Sequence, residues 1–406
     1  MVQTGSFQWM KSLNKSIILN KIRTNGPISR AQIAKDTKLT PPTVSSIVKE
    51  WLDQGFVKES SLGTSQGGRK PTMLEMNNSE FFVIGIDAGP NEMEMILSDL
   101  SGEVVDGART PITLPIQEHD FMEMLQDGIR RFLHKYNHLR DKIIGIGVAM
   151  HGVVDAASGI SLYAPNLNLR DMPVKEKLEA AFPYSVKVEN DARAMALGEA
   201  WFGESGEAHS MMAVNIGRGI GAGMVIDGKL YHGEFDTAGE VGHMTIDIHG
   251  ETCQCGNTGC LQTMASGPAL AAKAERLAAS GEAAALSERA SRSGGVITGE
   301  LVYETALAGD EVCRKLLEDT GRYIGIGFTN LIHVMNPGKI VIGGGVSNAA
   351  SYILPPIKEE IKKRALTTKA KHTDVVVSGL GDQATALGAV SLVLVELFDP
   401  EVIVSQ

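Results

Sequence analysis

Four residues within a short span have the types and spacing of a metal site. His243 closes Gly239-Glu240-Val-Gly-His243, and Cys253, Cys255 and Cys260 follow in Cys253-Gln-Cys255-Gly-Asn-Thr-Gly-Cys260. One imidazole and three thiolates complete a tetrahedral zinc site and leave no position open, so a zinc ion here, one per chain, braces a loop rather than activating water. The glycines between the sulfurs permit the tight turns that the spacing requires. The chain has 4 cysteines, and crowding three of them together reads as metal chemistry in a reducing, cytoplasmic compartment rather than as a disulfide framework. Cys313 lies in a helix-like stretch and reads as core.

Glycine-rich turns form a second group. Phe81-Phe-Val-Ile-Gly-Ile-Asp87-Ala-Gly89 is a strand running into a turn, followed by a strand at 93–98. The design recurs about 130 residues later in Met211-Met-Ala-Val-Asn-Ile-Gly217-Arg218-Gly219-Ile-Gly-Ala-Gly223. A third turn ends the strand Lys339-Ile-Val-Ile-Gly343-Gly344-Gly345. Turns of this kind let backbone N–H groups approach phosphates. Three of them, two as internal repeats, predict a duplicated α/β body of actin-like ATPase (ribonuclease-H-like) architecture, whose halves close over a nucleotide and a sugar. Between the repeats, Glu189-Asn190-Asp191 follows a strand. There a carboxylate can take a hydroxyl proton in phosphoryl transfer and Asn190 can hold a sugar, although an Asn-Asp pair is also an ordinary capped helix start.

The elements that carry these groups occupy residues 80–406, and the charge balance sets them apart from the N-terminal residues. Of the 406 residues, 43% are hydrophobic and the net charge is −10. Residues 1–76 hold eleven Lys and Arg against five Asp and Glu, a balance of +6, which leaves −16 on the rest. A basic head on an acidic body predicts a nucleic-acid module. Leu13, Ile17, Ile18 and Ile22 form one helical face, ended by Asn25-Gly26-Pro27. Ser29 with Gln32 has capping-box spacing for a second helix. Thr40 caps a third helix, with Val44, Ile47, Val48, Trp51 and Leu52 inward and Gly55 as its stop. Strands at 56–60 and 71–76 flank a glycine-rich tip, so the head is a winged helix-turn-helix. Its DNA-facing groups are Ser29, Arg30, Pro42, Thr43, Ser45, Ser46 and Lys49, with Arg69 and Lys70 on the wing. The expected domains are 1–76, then 80–188 joined by a C-terminal helix at 384–406, then 189–383. The N-terminus lacks the pattern of a secretory signal, and no uninterrupted apolar run approaches the roughly 20 residues of a membrane span.

Together these pieces resemble the ROK family of repressors and sugar kinases over essentially the whole chain, and most of all its xylose-repressor-like members. The likeness rests on Gly239-Glu-Val-Gly-His243, the cysteine segment, Glu189-Asn-Asp191 and Ile340-Val-Ile-Gly-Gly-Gly345. Pro27-Ile-Ser-Arg-Ala, Thr43-Val-Ser-Ser, Gly67-Gly-Arg-Lys-Pro71, Ala164-Pro-Asn166 and Gly242-His-Met-Thr-Ile-Asp247 add to it. The resemblance implies a sugar site of Asn166, Asn190, Asp191, Glu240, His243 and Gln262, with His243 serving metal and sugar through its two ring nitrogens. Gln262 stands where family members commonly have Glu. Family kinases read Asp-x-Gly-Gly-Thr at the first turn, whereas this chain has Asp87-Ala-Gly89-Pro90-Asn91, and proline removes a donor that a phosphate would need. Arg218 replaces a usual Thr, and either pairs with a phosphate or takes its place. Asp87, Gly89, Gly217, Gly219, Gly343 and Gly344 would then be a vestigial nucleotide site, and Asp191 a sugar ligand rather than a catalytic base. The expectation is a cytoplasmic homodimeric repressor (or tetramer), not an enzyme and with no membrane partner, released from operator DNA when a small sugar such as xylose closes the cleft. The alternatives are a working sugar kinase that carries a DNA-binding head and, last, a regulator controlled by a protein partner.

Overall fold

Caps and turns decide the first helices. The computed structural model describes residues 7–62, 70–204 and 210–398. Helix α1 (Phe7–Asn25) stops at Gly26, whose N–H bonds Ile22 O at 2.8 Å. A short strand β1 (Ile28–Ser29) enters α2 (Arg30–Thr37), capped by Ser29 Oγ accepting from Gln32 N at 3.2 Å. The Gln32 side chain donates instead to Asp36 at 2.6 Å, so only half of the expected capping box forms. Thr40 caps α3 (Pro41–Asp53), whose two prolines sit in the first turn, where an N–H has no helical partner anyway. Val44, Ile47, Val48 and Trp51 are buried, as their spacing predicts. The stripe on α1 differs from the expected one: Ile18, Leu19 and Ile22 are buried, while Leu13 and Ile17 are half-buried.

Strands β2 (Val57–Leu62) and β3 (Thr72–Met76) pair antiparallel, and β1 adds to the free side of β3, giving the order β1-β3-β2. Three helices and this small sheet make a winged helix-turn-helix. The expected wing tip, with Arg69, lies outside the described residues. The head is packed onto the body rather than tethered to it. Phe56 stacks on Phe81 at 4.1 Å, and Asn77 Nδ2 donates to Gly55 O at 3.0 Å. The Arg23 guanidinium lies 5.4 Å from the centre of the Phe398 ring.

Two compact units account for the chain, one of residues through Glu189 with those from Ala389 onward, the other Asn190–Gly388. In the first, β4 (Phe82–Ala88), β5 (Glu92–Asp99) and β6 (Val104–Pro111) form an antiparallel meander, followed by α4 (Glu118–Lys135) and β7 (Ile143–Met150), which lies parallel to β4. β8 (Val153–Asp155), β9 (Ile160–Ala164) and β10 (Leu169–Met172) make a separate small antiparallel sheet before α5 (Val174–Ala181) and β11 (Val186–Asn190). The main sheet has the order β11-β7-β4-β5-β6. Phe121, Leu125 and Ile129 of α4 join Ile84, Ile86, Ile146 and Val148 in its core.

The second unit repeats the plan. After α6 (Asp191–Phe202), β12 (Ser210–Ile216), β13 (Ile220–Ile226) and β14 (Lys229–Leu230) again form an antiparallel meander. Helices α7 (Leu261–Ala265), α8 (Gly267–Ala279), α9 (Ala284–Arg292), α10 (Gly299–Leu307) and α11 (Glu311–Met335) precede β15 (Lys339–Gly343), α12 (Ala350–Arg364) and β16 (Asp374–Val377). β15 is parallel to β12 and β16 to β15, in the order β14-β13-β12-β15-β16. The two leading hairpins start 128 residues apart, at Phe82 and Ser210, which is the duplication expected from the glycine turns. Leu317, Ile324 and Phe328 of α11 pack with Ile353, Ile357 and Ile361 of α12 over this sheet. The last helix, α13 (Ala384–Phe398), contains the boundary between the units. The segment Gly381–Phe398 is, among the described residues, the one long and apolar enough to cross a membrane. Here it is a core helix, with Ala386, Ala389, Val390, Ser391 and Leu394 at 0% exposure.

Candidate functional site

The loop after β14 is laid against β13 by backbone contacts that only glycine allows. Gly239 (φ 98°) accepts from Ala222 N at 2.8 Å, and a Cβ there would stand 1.9 Å from Ala222 O. Further on, Gly259 (φ 71°) lies so close to Asp247 that a Cβ would be 1.5 Å from its carbonyl oxygen. These contacts fold 239–260 into a knuckle closed by bridges between Thr245 and Cys260 and between Thr252 and Thr258. Cys253 N donates to Asn257 O at 2.7 Å within it.

The knuckle brings His243, Cys253, Cys255 and Cys260 together, with their ligand atoms all within 4.8 Å of one another. Cys255 Sγ and Cys260 Sγ are 3.8 Å apart, and His243 Nδ1 is 3.7 Å from Cys253 Sγ. Tetrahedral zinc, with bonds of about 2.3 Å to sulfur and about 2.0 Å to nitrogen, needs S···S near 3.8 Å and S···N near 3.5 Å, so the donor set fits such an ion. Cys253 and Cys260 are buried and Cys255 is exposed. Burial pushes the Cys260 thiol up, and the neighbouring Cys253 and Cys255 sulfurs add to this, to about 12. Burial acts the same way on Cys253, but the Cys255 backbone and side chain, Gln262 and Cys260 outweigh it and bring it down to about 7. A bound cation would let the sulfurs ionise together. With Nδ1 on the cluster, His243 turns Nε2 towards Glu240 Oε2 at 3.9 Å.

The Asn190-Asp191 pair is a helix cap in fact. Asn190 Oδ1 accepts from Arg193 N at 3.0 Å, its Nδ2 donates to Asp191 Oδ1 at 2.9 Å, and Ala192 N donates to the same oxygen at 2.8 Å. Two residues further on, Arg193 is 2% exposed and donates from Nη1 to Asp236 O at 2.7 Å. Sequence reasoning passed over Arg193. It ties the helix that carries Asp191 to the loop that carries Glu240 and His243. Asn190, Asp191, Glu240, His243 and Gln262 belong to one compact unit, and Asn166 belongs to the other. Asn166 Nδ2 lies 2.7 Å from His151 Nε2, a second partner that sequence reasoning passed over, although the strand-end position of His151 was the available signal.

Among the glycine turns, Gly217 N donates to Gly219 O at 3.0 Å and Gly217 O accepts from Gly267 N at 2.8 Å, at the start of α8. Gly343 ends β15 and Gly344 has φ 80°. Asp87 lies near the end of β4, with Gly89 and Pro90 in the turn to β5. In the head, Pro42, Ser45, Ser46, Lys49 and Lys70 are exposed and Thr43 is half-buried. Arg30 pairs with Glu59 at 3.2 Å, and Ser29 is engaged as a cap.

A winged helix-turn-helix on a duplicated actin-like body, with a closed Cys₃His cluster, defines a class of regulator. The chain belongs to the ROK family, whose model matches residues 83–396. It is 36% identical to a putative xylose repressor of Caldicellulosiruptor sp. (strain Rt8B.4), over 97% of this chain and 98% of that one. A ROK family transcriptional regulator, a homolog of the E. coli MLC protein, superimposes with a TM-score of 0.85 at 30% identity, covering 98% of both chains. A ROK family glucokinase from Streptomyces griseus, solved with glucose and AMPPNP, gives a TM-score of 0.67 at 30% identity, over 77% of this chain and 98% of its own.

Proposed function

We propose that this chain is a sugar-responsive transcriptional repressor of a carbohydrate-utilisation operon. One observation carries the reading: the similarity to repressors and to a ROK regulator runs through head and body alike, whereas the glucokinase matches 77% of the chain. The head (1–76) binds operator DNA through Ser29, Arg30, Pro42, Thr43, Ser45, Ser46, Lys49, Arg69 and Lys70. A homodimer places two heads on half-sites about one helical turn apart. The body takes a small sugar, xylose first among candidates, on Asn166, Asn190, Asp191, Glu240, His243 and Gln262. One zinc ion per chain, held by His243 Nδ1, Cys253, Cys255 and Cys260, fixes the loop that presents Glu240 and the outer face of His243. Such a regulator works in the cytoplasm.

Phosphoryl transfer is not part of this reading. Pro90 removes a donor from the first turn, and Gly217 spends its N–H on Gly219 within the second. The sugar acts by binding the DNA-incompetent arrangement more tightly, and a hundredfold loss of operator affinity requires a hundredfold preference, about 2.7 kcal/mol. The test is to select an operator from random DNA and titrate it against a panel of aldoses and their phosphates. Xylose or a close aldose should release the protein, and affinity unchanged by every sugar would sink the effector reading. The likeness to a glucokinase with bound glucose and AMPPNP favours a second reading, a sugar kinase. ATP-dependent sugar phosphorylation that disappears in Asp191→Asn would establish it.

A further inference from the structure

Helices α11 and α12 run side by side in the same direction. A Cβ at Gly321 would stand 2.6 Å from Ile353 O, and one at Gly325 would stand 2.8 Å from the Glu360 Cβ, so the C-terminal ends of the two helices fall at the same end of their unit. Each end holds an apolar side chain out in water. Val334, one residue before the end of α11, is 80% exposed, and Leu366, just past α12, is 83% exposed. The chain around Leu366 is fixed. Ala365 before it is buried, and Ala370 after it packs against the core. Ala370 N donates to Thr367 Oγ1 at 3.2 Å, Lys371 N to Thr367 O at 3.0 Å and His372 N to Lys369 O at 3.0 Å. A loop ordered in advance loses little conformational freedom when something docks on it.

The charge around these two residues runs against that of the body. Residues 358–371 hold six Lys and Arg against two Glu, a balance of +4, within a body of −16. Arg364 pairs with Glu360, but Lys358, Lys362, Lys363, Lys369 and Lys371 have no carboxylate partner among the described residues. Cations on the preceding helices do have partners: Arg276 meets Glu251, Arg289 meets Glu304 and Lys315 meets Glu311. Lys362 and Lys363 lie in the last turn of α12, where they complement the negative end of the helix. That accounts neither for Lys369 and Lys371, which lie beyond the helix, nor for a leucine held out between the two pairs of lysines in the chain.

We propose that the joined ends of α11 and α12 are a docking surface for an acidic segment of another protein. Leu366 and Val334 receive its apolar side chains, and Lys362, Lys363, Lys369 and Lys371 face its carboxylates. An apolar centre within a charged surround is the usual anatomy of a protein interface. Charge complementarity calls for an anionic partner, and extent selects among anions. A nucleic-acid duplex or a lipid bilayer spreads its charge widely and would also meet the acidic remainder of the body, whereas a short segment need cover only the patch. Exposed lysines add little affinity each, so Leu366 supplies most of the hold, and the lysines set the rate of encounter and its sensitivity to salt.

The test uses the full chain as wild type, Leu366→Asp and the pair Lys369→Glu with Lys371→Glu. All three positions are exposed, so the variants should keep the wild-type melting temperature. Random peptides of about 15 residues displayed on phage are selected on the wild type, and the enriched ones are titrated by fluorescence anisotropy. They should combine Asp and Glu with Leu, Ile or Phe, and bind more weakly as salt rises. Affinity should fall about tenfold or more in Leu366→Asp and in the double reversal. No enrichment, or acidic peptides that all three proteins bind alike, would overturn the proposal. Phosphatidylglycerol vesicles and a short duplex lacking the operator are titrated beside the peptides. Wild-type binding to either that is lost in the double reversal, with no peptide bound, would give the surface to lipid or nucleic acid instead. A smaller sedimenting species in Leu366→Asp than in wild type would mean that a second copy of this chain covers the patch, and would equally overturn it.

Discussion

At the scale of single residues, the chain shows how a buried charge can organise a site without entering it. Arg193 places a guanidinium at 2% exposure and uses it on the carbonyl of Asp236, a residue with φ 54°. Replacing it by Met keeps the volume but leaves that carbonyl without its donor, a loss of about 1–3 kcal/mol. Arg193→Met should lower the urea midpoint accordingly and weaken sugar binding while operator affinity without sugar is kept. The gathering of His243, Cys253, Cys255 and Cys260 was legible in the sequence because their spacing is local and thiols crowded into one turn have few other uses. For Asn190 the sequence offered two readings, cap and ligand, and the cap is what its geometry displays. The reach of His151 to Asn166, of Arg193 to Asp236 and of Gln262 Nε2 to Cys253 Sγ was not legible. Each depends on a side chain crossing to a segment 9 to 43 residues away, with no periodicity to announce it.

Elements were more readable where a pattern repeats. The hairpins at Phe82 and Ser210 share one plan because both are apolar runs broken by glycine, whereas β1, of 2 residues, is too short to leave a period. On α1 the apolar residues outnumber the positions that fit one face, so packing against α3 and β3 chooses Leu19 over Leu13. The wing belongs to this scale. Arg69→Ala with Lys70→Ala should reduce the slope of log affinity against log salt by about 2, measured by fluorescence anisotropy on operator DNA. Helix α6 carries a titratable group outside the proposed sugar site. Glu199, 2% exposed, has its carboxyl raised above the ordinary 4.5, first by burial and against the hydrogen bond from Ser378. A carboxyl raised in the folded state adds stability below 4.5 that is lost as pH climbs through the folded value. Glu199→Gln should therefore raise the melting temperature relative to wild type at pH 8 and do so much less at pH 4.

For the whole molecule, the split of charge between +6 on residues 1–76 and −16 on the remainder supports the proposed DNA contact on the head, since phosphates would repel the acidic body. A metal-braced sensor predicts that chelation lowers the melting temperature and that zinc, not magnesium, restores it. A cognate sugar at a hundredfold excess over its Kd should add about 2.7 kcal/mol to the metal-loaded form only. The stack of Phe56 on Phe81 and the seat of Arg23 over Phe398 have a consequence for the DNA itself. A reading head on a slack tether would follow its half-site wherever the duplex carried it. A head bolted to its body cannot, and must meet the helix at one angular phase. Each inserted base pair turns one half-site by roughly 34° about the duplex axis, so five should abolish repression and ten should restore much of it. Reporter operators with graded spacers would measure this, and a flat response would mean that the mount gives way.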